Sequence, residues 1–343
     1  MEETAKHLWI LQQKLAGSAF PAKRVTNAEL SEKLANLGVN TSDQWIRERT
    51  GICERRFSDI DNPDEHNSSL GLAAAQRALA MAGKTANEID QIIYSTCTPD
   101  TLIPSTACWL QHKIGASRAW AMDINAACSG FVYGVAIADQ FIRTGQVKTA
   151  LVIGAEVLSS ILNWEDRTSC IIFADGAGAA IVERVAKDSP QRILSSHFLS
   201  DGSFCELLHI PAGGSRLEIT PERYSQKLHK LRMDGRKVFK IAVKTLVDFA
   251  VRALEENRMT IQELDWFVPH QANLRIIEAA ADRLNLPMEK VLINIDRYAN
   301  TSSATIPTVF DEAVRDGRIQ KGQTVLFDTF GAGLTYGSML LRW

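Results

Sequence analysis

The stretch Asp123-Ile-Asn-Ala-Ala-Cys128-Ser-Gly-Phe-Val-Tyr-Gly134 decides the fold, because it joins an extended apolar run to a helical pattern. Residues 118–122 form the extended run before it, and apolar side chains recur at helical spacing after it, at Phe131, Val135, Ala138 and Ile142. Cys128 is therefore predicted at a strand-to-helix junction, where unpaired backbone N–H groups carry partial positive charge. That environment favours the thiolate, which is the nucleophilic form of cysteine. The alternative is a buried, unreactive cysteine, the commonest state of a free thiol.

Composition and charge are those of an ordinary globular protein. The 343 residues suffice for one large or two medium domains, and the net charge of −2 gives no reason to expect a nucleic acid or membrane partner. The six cysteines have irregular spacing that fits neither a zinc site nor a small disulfide framework, so we expect reduced thiols in the cytoplasm. No apolar run reaches the roughly 18 residues of a membrane span. Residues 8–11 predict a first strand behind a short leader.

Strand and helix patterns alternate along the chain, which is typical of α/β proteins. Asn27 is predicted to cap a helix over residues 28–37, and Thr41-Ser42-Asp43 to cap the next one. Further helices are predicted over residues 69–82 and 106–114. Strands are predicted over residues 89–96, 118–124, 150–155 and 170–182.

The strand-and-helix pattern also occurs twice. Arg77-Ala78-Leu79 recurs 175 residues later as Arg252-Ala253-Leu254, whereas Thr144-Gly145 resembles Asp316-Gly317 at an offset of 172. The second offset places Asn300 where the first half has Cys128. Duplicated α/β halves usually pack about a pseudo-two-fold axis, so we expect these two residues to come together. The sequence thus predicts two domains, residues 1–185 with the cysteine and residues 186–343 with a histidine and an asparagine.

Three further segments place polar or small residues near the ends of predicted strands. His270 follows a buried strand at its C-terminal end, where α/β proteins tend to bind ligands, although a structural hydrogen bond is the common role of a lone histidine. Residues 298–303 read as a polar strand-to-helix turn or a helix cap. Residues 330–334 read as a small-residue turn that presents backbone N–H groups, or as a tight hairpin or bulge.

With these segments in view, the chain resembles the β-ketoacyl-acyl-carrier-protein synthase III family of thiolase-fold condensing enzymes from about residue 15 to residue 343. The resemblance implies an α/β fold with two duplicated halves in a layered αβαβα arrangement. Asn300 supports this subclass, because thiolases and elongating synthases have a second histidine there. The motifs that carry the resemblance are Thr41-Ser42-Asp43-Gln44-Trp45-Ile46, Arg49-Thr50-Gly51-Ile52, Ala127-Cys128-Ser129-Gly130-Phe131, Phe173-Ala174-Asp175-Gly176-Ala177-Gly178-Ala179, Pro269-His270-Gln271-Ala272-Asn273-Leu274-Arg275, Asn300-Thr301-Ser302 and the glycine-rich end.

The resemblance implies a mechanism for three catalytic residues, Cys128, His270 and Asn300. Cys128 would take an acyl group, acetyl being the usual primer, from acyl-CoA. The backbone N–H groups of Cys128 and Ala332 would form the oxyanion hole, each worth roughly 3–4 kcal/mol. His270 Nε2 and Asn300 Nδ2 would hold the thioester carbonyl of malonyl-acyl-carrier-protein during decarboxylation and condensation. This reaction starts fatty acid synthesis and needs no metal or redox cofactor.

The resemblance also implies binding residues for coenzyme A. Trp45 would stack on the adenine, Arg49 and Arg167 would flank the nucleotide, and Asn273 would meet the pantetheine arm. The alternative for Trp45 is ordinary core packing.

Docking of the acidic carrier protein would involve Lys240, Arg275 and Arg283, whose alternative is a solvated charged face. A homodimer is implied as well. Ile103 stands where a phenylalanine often closes the acyl pocket from the partner subunit, and its smaller side chain predicts room for a longer or branched primer. The chain also has Ala332 and Ala299 where glycine is common in the family.

Other functions fit parts of the pattern. A related synthase of secondary metabolism could use another primer or acceptor, including coenzyme A itself. A non-catalytic acyl-CoA-binding protein would have little reason to retain Cys128, His270 and Asn300 together. An acyl hydrolase would need a water-activating base that no sequence feature identifies.

Overall fold

The computed structural model describes residues 16–186 and 189–343, so the strand predicted over residues 8–11 lies outside the described residues. The strands are β1 (Ala16–Ala19), β2 (Arg24–Thr26), β3 (Glu54–Arg56), β4 (Gln91–Ser95), β5 (Trp120–Ile124), β6 (Thr149–Val157), β7 (Asp175–Glu183), β8 (Arg192–Ser200), β9 (Leu208–His209), β10 (Arg232–Met233), β11 (Trp266–Pro269), β12 (Thr324–Gly331) and β13 (Thr335–Arg342). The α-helices are α1 (Asn27–Ala35), α2 (Asp43–Thr50), α3 (Asn67–Ala82), α4 (Thr106–Ile114), α5 (Gly130–Arg143), α6 (Arg167–Cys170), α7 (Pro221–Ser225), α8 (Gly235–Glu256), α9 (Leu274–Arg283), α10 (Ile295–Tyr298) and α11 (Thr305–Arg315). In the described ranges, no helix has both the length and the apolar character that crossing a membrane requires.

Two large sheets repeat one topology. The first has the order β1-β7-β6-β4-β5 and the second the order β8-β13-β12-β11. In both, two antiparallel pairings are followed by a parallel one, β6 with β4 and β12 with β11. In the first sheet β4 also pairs in parallel with β5. In the second sheet the corresponding pairing of β11 is a single parallel bridge between Phe267 and Val291. The two sheets therefore repeat the same strand pairings, in agreement with the duplication that the sequence suggests.

Helices fill the space between the sheets and cover their outer faces. Apolar residues of α5 and α11, such as Phe131 and Phe310, share one core with residues of both sheets. Leu79 of α3 and Leu110 of α4 pack on the outer face of the first sheet. Helices α8 and α9 cover the second sheet, for example through Ile277. The layers are thus helix, sheet, helix, sheet, helix, and the predicted thiolase-like fold class is confirmed.

The duplication extends to local capping. Thr85 and Glu88 form a reciprocal capping box ahead of β4, and Thr260 and Glu263 form the same box ahead of β11. In each box the carboxylate accepts from the backbone N–H and the hydroxyl of the threonine. The offset of 175 residues therefore describes equivalent positions in space.

The offset changes inside the central helices, which corrects one prediction. A 3₁₀ turn precedes each helix, Ala127–Ser129 before α5 and Ser302–Ala304 before α11, and these turns are 175 residues apart. Helix α5 has 14 residues and α11 has 11, so the offset falls to 172 only after the helices. Ser303, and not Asn300, is the counterpart of Cys128. The prediction was wrong because it applied the later offset to the start of the helix.

Several element boundaries differ from the predictions, and two of the differences have a clear local cause. Thr26 rather than Asn27 caps α1, because its hydroxyl accepts the Glu29 N–H while the Glu29 carboxylate accepts the Thr26 N–H. The strand predicted over residues 170–182 begins only at Asp175, since Cys170 ends helix α6, which the Asp166 side chain caps. The Ser42 cap of α2 and the helix over residues 106–114 are confirmed.

Candidate active site

Cys128 lies in the turn between β5 and α5, and the hairpin of the second half holds that turn in place. The hydroxyl of Thr329 donates to the Cys128 carbonyl at 3.2 Å, and the hydroxyl of Thr335 donates to the Ala126 carbonyl at 3.0 Å. Ala127 adopts a positive φ of 47°. The position of the sulfur therefore depends on contacts about 200 residues away in sequence.

The buried position of Cys128 favours the protonated thiol. Burial raises its pKa to about 12, and the nearby Glu156 carboxylate adds to the rise, while a hydrogen bond with the Ser302 hydroxyl opposes it. Burial thus opposes the thiolate that the position at a helix N-terminus was expected to favour.

His270 follows β11 and is almost completely buried. Its backbone N–H donates to the Asp328 carbonyl at 2.8 Å, and its Nδ1 lies 2.6 Å from the Thr305 hydroxyl. The Phe330 ring meets the imidazole edge-on with centroids 5.4 Å apart. Burial lowers the pKa of His270 to about 3, so the imidazole is neutral at physiological pH. A neutral imidazole can donate one hydrogen bond to a substrate without carrying charge.

Asn300 lies close to Cys128 and His270, but the element that carries it differs from the prediction. It follows α10 and pairs with Phe173 through a single parallel bridge, rather than ending a strand. Its side-chain oxygen accepts the Ser302 N–H at 2.8 Å. Because the oxygen is engaged, the amide orientation is set and the Nδ2 group is the one left to donate.

One cavity of about 80 Å³ brings the three residues together. This is the space of a few water molecules, which suits a short acyl group. Ile103 is exposed on its loop and does not line the cavity of its own chain. The lining consists of Cys128, His270 and Asn300 with Ile172, Phe173, Leu208, Met233, Gly235, Val238, Phe239, Ala272, Asn273, Ile276, Phe330 and Gly331.

The loop after β12 approaches the backbone of Cys128 closely. A Cβ placed on Gly331 would lie 2.9 Å from the Cys128 nitrogen and 2.9 Å from the Ala126 carbonyl oxygen. Ala332 is the next residue of this loop, and the described non-glycine residues with positive φ do not include it. Glycine at position 331 is what lets the loop pass over the Cys128 N–H.

The four candidate coenzyme A residues form one cluster at α2. The guanidinium carbon of Arg167 lies 4.3 Å from the centroid of the Trp45 ring, and that of Arg49 lies 5.6 Å away. Asn273 Nδ2 donates to the Arg49 carbonyl at 3.0 Å, and Asn273 also lines the cavity of Cys128. Trp45 is half-buried and packs partly against the core. The cluster therefore continues into the cavity through Asn273.

The three candidate carrier-protein residues are exposed on α8 and α9. Arg275 lies 6.0 Å from the ring of Phe239, which lines the cavity, and Lys240 is the residue after Phe239. Arg283 lies eight residues beyond Arg275, about 12 Å along the helix. Lys240 and Arg275 thus lie closer to the cavity than Arg283.

Sequence reasoning assigned no role to Glu156, Ser302 or Thr305. Glu156 is fully buried on β6 and accepts hydrogen bonds from the Thr98 hydroxyl at 2.6 Å and the Ser303 hydroxyl at 3.0 Å. A glutamate inside the apolar run of residues 150–157 was the available signal, because a buried charge needs dedicated partners. Ser302 and Thr305 carried no such signal.

Comparisons with known proteins identify the family. The family description "3-Oxoacyl-[acyl-carrier-protein (ACP)] synthase III" matches residues 122–202, and that of its C-terminal part matches residues 254–343. A β-ketoacyl-[acyl-carrier-protein] synthase III from Caldanaerobacter subterraneus subsp. tengcongensis is 48% identical over 327 residues, which cover 95% of this chain and 96% of the relative. This chain belongs to the β-ketoacyl-acyl-carrier-protein synthase III family.

Solved structures of synthase III relatives share the fold over the whole chain. The 3-oxoacyl-[acyl-carrier-protein] synthase III of Aquifex aeolicus is 40% identical with a TM-score of 0.87, covering 98% of this chain and 100% of that one. The priming β-ketosynthase of the R1128 polyketide biosynthetic pathway is 34% identical with a TM-score of 0.87 and covers 98% of both chains. This synthase III chain is therefore a condensing enzyme of the acyltransferase type.

Proposed function

We propose that this synthase III starts fatty acid synthesis by joining an acyl group from acyl-CoA to malonyl-acyl-carrier-protein. The observation that carries the proposal is the convergence of Cys128, His270 and Asn300 on one small cavity. A nucleophile and two neutral hydrogen-bond donors are what acyl transfer and decarboxylative condensation require. The size of the cavity favours a short primer such as acetyl.

Acyl transfer is the first half-reaction. The Cys128 sulfur attacks the thioester carbon, the sulfur–carbon bond of acyl-CoA breaks, and the thiol proton ends on the CoA sulfur. The tetrahedral oxyanion is held by the N–H groups of Cys128 and Ala332. Gly331 supports this role because its lack of a side chain leaves the Cys128 N–H open.

Condensation is the second half-reaction. His270 Nε2 and Asn300 Nδ2 donate to the thioester carbonyl of the malonyl group, so loss of CO2 leaves a stabilised enolate. Its carbon attacks the acyl carbonyl on Cys128, and the sulfur leaves and regains a proton. Nε2 carries the imidazole proton when the Thr305 hydroxyl donates to Nδ1 instead of to the Ser302 carbonyl, which lies 3.0 Å away. These steps use no metal or redox cofactor.

Coenzyme A binding is assigned to Trp45, Arg49, Arg167 and Asn273. Two guanidinium groups beside one indole provide stacking surface and positive charge for an adenine nucleotide. Asn273 joins this cluster to the cavity, as a pantetheine arm must.

Carrier-protein docking is assigned to Lys240, Arg275 and Arg283, which present positive charge beside the cavity. An Arg275→Glu variant should raise KM for malonyl-acyl-carrier-protein by about tenfold at low salt, with less effect at high salt. Acylation by acyl-CoA should be unchanged, and an equal loss in both half-reactions would contradict the assignment.

We also propose a cytoplasmic homodimer in which two β5 edges meet. Strand β5 pairs only with β4 in the described sheet, so its other edge is open. Trp120 of β5 is an exposed apolar side chain, as are Trp109 of α4 and the preceding Leu102 and Ile103. The domain division at residues 185 and 186 remains part of the proposal, supported by the first sheet ending at Glu183 and the second starting at Arg192.

Intact-protein mass spectrometry tests the function. Wild type and Cys128→Ala are incubated with a chain-length series of acyl-CoAs, and malonyl-acyl-carrier-protein is then added. We expect an acyl adduct that requires Cys128 and is discharged as a 3-oxoacyl product, with the best primer naming the substrate. Absence of any adduct would refute the synthase function, and strict preference for acetyl would refute a pocket enlarged by Ile103.

A synthase of secondary metabolism is the second candidate, favoured by the likeness to the R1128 priming β-ketosynthase. Relatives that carry the synthase III name are more similar to this chain, at 48% identity. An adduct that malonyl-acyl-carrier-protein does not discharge, but another extender or acceptor does, would favour the second candidate.

A further inference from the structure

Ser302 touches the surroundings of all three proposed catalytic residues. It is 3% exposed and lies at the start of the 3₁₀ turn before α11. Its φ is 53°, a conformation that costs free energy for a residue with a Cβ atom and that persists only where surrounding contacts impose it. The inference drawn from these contacts rests on the proposed roles of Cys128, His270 and Asn300.

The backbone of Ser302 contacts two of the three residues. Its N–H donates to the Asn300 side-chain oxygen at 2.8 Å. Its carbonyl lies 3.0 Å from the Thr305 hydroxyl, which also lies 2.6 Å from His270 Nδ1 and can donate to only one of the two. The N–H of Ser302 thus orients the Asn300 amide, and Thr305 lies between Ser302 and His270.

The side chain of Ser302 reaches the third residue. Its hydroxyl donates to Glu156 Oε1 at 3.2 Å, and hydrogen bonds with this hydroxyl lower the pKa values of the neighbouring Cys128 and Cys97 thiols. A hydroxyl has one proton and can donate to only one of these acceptors at a time. A protonated thiol needs no donor, so the proton belongs on Glu156 until the Cys128 sulfur becomes anionic.

Glu156 has enough other partners to release that proton. Besides Ser302, its carboxylate accepts from the hydroxyls of Thr96 at 3.1 Å and Thr98 at 2.6 Å, and from that of Ser303 at 3.0 Å, which shares its proton with the Ser95 carbonyl at 3.1 Å. The backbone N–H of Cys97 adds a further bond at 3.1 Å. Because the bonds from Thr96, Thr98 and Cys97 remain, the carboxylate stays satisfied when the Ser302 hydroxyl turns away.

We propose that Ser302 is a positioning residue whose hydroxyl turns from Glu156 to the Cys128 sulfur as the thiol loses its proton. The hydroxyl then stabilises the thiolate that attacks acyl-CoA. Its backbone N–H meanwhile keeps the Asn300 amide in place for the next half-reaction.

The titratable groups around the sulfur make the test specific. Glu156 and the Cys97 thiol adjoin Cys128 on the Ser302 side, and His270 shares the cavity. Removing the Ser302 hydroxyl takes a donor from the thiolate. Converting Glu156 to glutamine removes a negative charge beside the sulfur and frees the Ser302 proton. The two changes should therefore shift Cys128 reactivity in opposite directions.

The experiment measures alkylation of Cys128 by iodoacetamide between pH 6 and pH 10, with peptide mass spectrometry as the readout. Ser302→Ala should react about tenfold or more slowly than wild type at pH 7, because a hydrogen bond to a charged group is lost. Glu156→Gln should react faster. Ser303→Ala is the matched control, since Ser303 bonds Glu156 but not Cys128, and it should stay within about twofold of wild type. The exposed thiols of Cys108 and Cys205 serve as internal references.

A structural effect is separated from the proposed one by two further measurements. Ser302→Gly lacks the hydroxyl and relieves the positive φ, so it should share the slow alkylation while melting no lower than Ser302→Ala. Decarboxylation of malonyl-acyl-carrier-protein should stay within about threefold of wild type in Ser302→Ala, because its backbone N–H and carbonyl remain.

An unchanged pH profile of alkylation in Ser302→Ala would overturn the proposal. If Ser302→Ala melts far below wild type, the alkylation rate of Glu156→Gln is used instead. A rate in Glu156→Gln that is slower than or equal to the wild-type rate would count against the proposal. Alkylation needs neither acyl-CoA nor carrier protein. If the protein takes up no acyl group from acyl-CoA, the proposed function is refuted. The alkylation rates would still test the role of Ser302 in that case.

Discussion

The side-chain oxygen of Asn300 accepts the backbone N–H of Ser302 at 2.8 Å, and the same bond occurs in the first half, where Asn125 accepts the Ala127 N–H at 3.2 Å. In both halves the residue that donates has a positive φ and starts the turn before a central helix. One duplicated turn thus supports two proposed tasks. In the first half it presents the Cys128 sulfur, and in the second it presents the Asn300 amide.

Asn300→Ala should separate the two half-reactions. The variant loses one of two donors to the thioester carbonyl, so decarboxylation of the malonyl donor should fall by about 10²–10³-fold. Acylation of Cys128 should stay within about threefold, because the oxyanion hole of that step uses other groups. Stopped reactions analysed by intact mass and by CO2 release give both rates. Equal losses in the two rates would show that Asn300 supports the turn rather than the enolate.

Gly331→Ala should block acylation. The added methyl would lie 2.9 Å from the Cys128 nitrogen, closer than van der Waals contact allows, and would displace the proposed oxyanion hole. We expect acylation to slow by about 10²–10³-fold. Gly214→Ala is the control, because a Cβ there meets no atom within 4 Å. Normal acylation in Gly331→Ala would argue against an oxyanion hole at this N–H.

Ala299→Gly should stabilise the protein. Ala299 is fully buried with φ 54° and ψ −155°, a region that is nearly restricted to glycine. Relief of this strain, offset by the backbone entropy of glycine, should raise the free energy of unfolding by about 1 kcal/mol. Denaturant titration measures this change in the free energy of unfolding. Ala250→Gly, in the interior of α8, should instead destabilise by about 1 kcal/mol or more, and similar effects of the two variants would refute strain at Ala299.

Asp328→Asn should remove a pH-dependent loss of stability. Asp328 is fully buried, and burial raises its pKa well above the usual range, although a hydrogen bond from the Thr329 backbone opposes the rise. The folded chain therefore binds this proton more tightly than the unfolded chain. Stability should fall as pH rises above the unfolded pKa of about 4, by up to about 1.4 kcal/mol per pH unit, until the folded pKa is reached.

The asparagine variant cannot ionise, so its advantage over wild type should grow from pH 4.5 to pH 8 in thermal melts. Asp282→Asn, an exposed change on α9, should follow the wild-type curve. A constant difference between Asp328→Asn and wild type at every pH would mean that Asp328 is not the titrating group.

Local sequence signals predicted much of the fold. Ser42 and the helix over residues 106–114 were placed correctly, because capping and helical periodicity depend on neighbours along the chain. The strand predicted over residues 170–182 was started too early, since Cys170 ends a short helix that has too few residues to show a period. The equivalence of Cys128 and Ser303 was missed because the length difference between α5 and α11 leaves no mark at the start of either helix.

The sequence by itself determined the family, the duplicated α/β halves and the identities of Cys128, His270 and Asn300 as the residues suited to this chemistry. Motifs and periodicity follow from residues close together in the chain, so they can be read directly. Only the tertiary structure decided that burial favours the protonated Cys128 thiol, that His270 is neutral and that Ser302 links the three residues. Desolvation and hydrogen bonds between segments up to about 200 residues apart set these properties, and no local pattern encodes such distances.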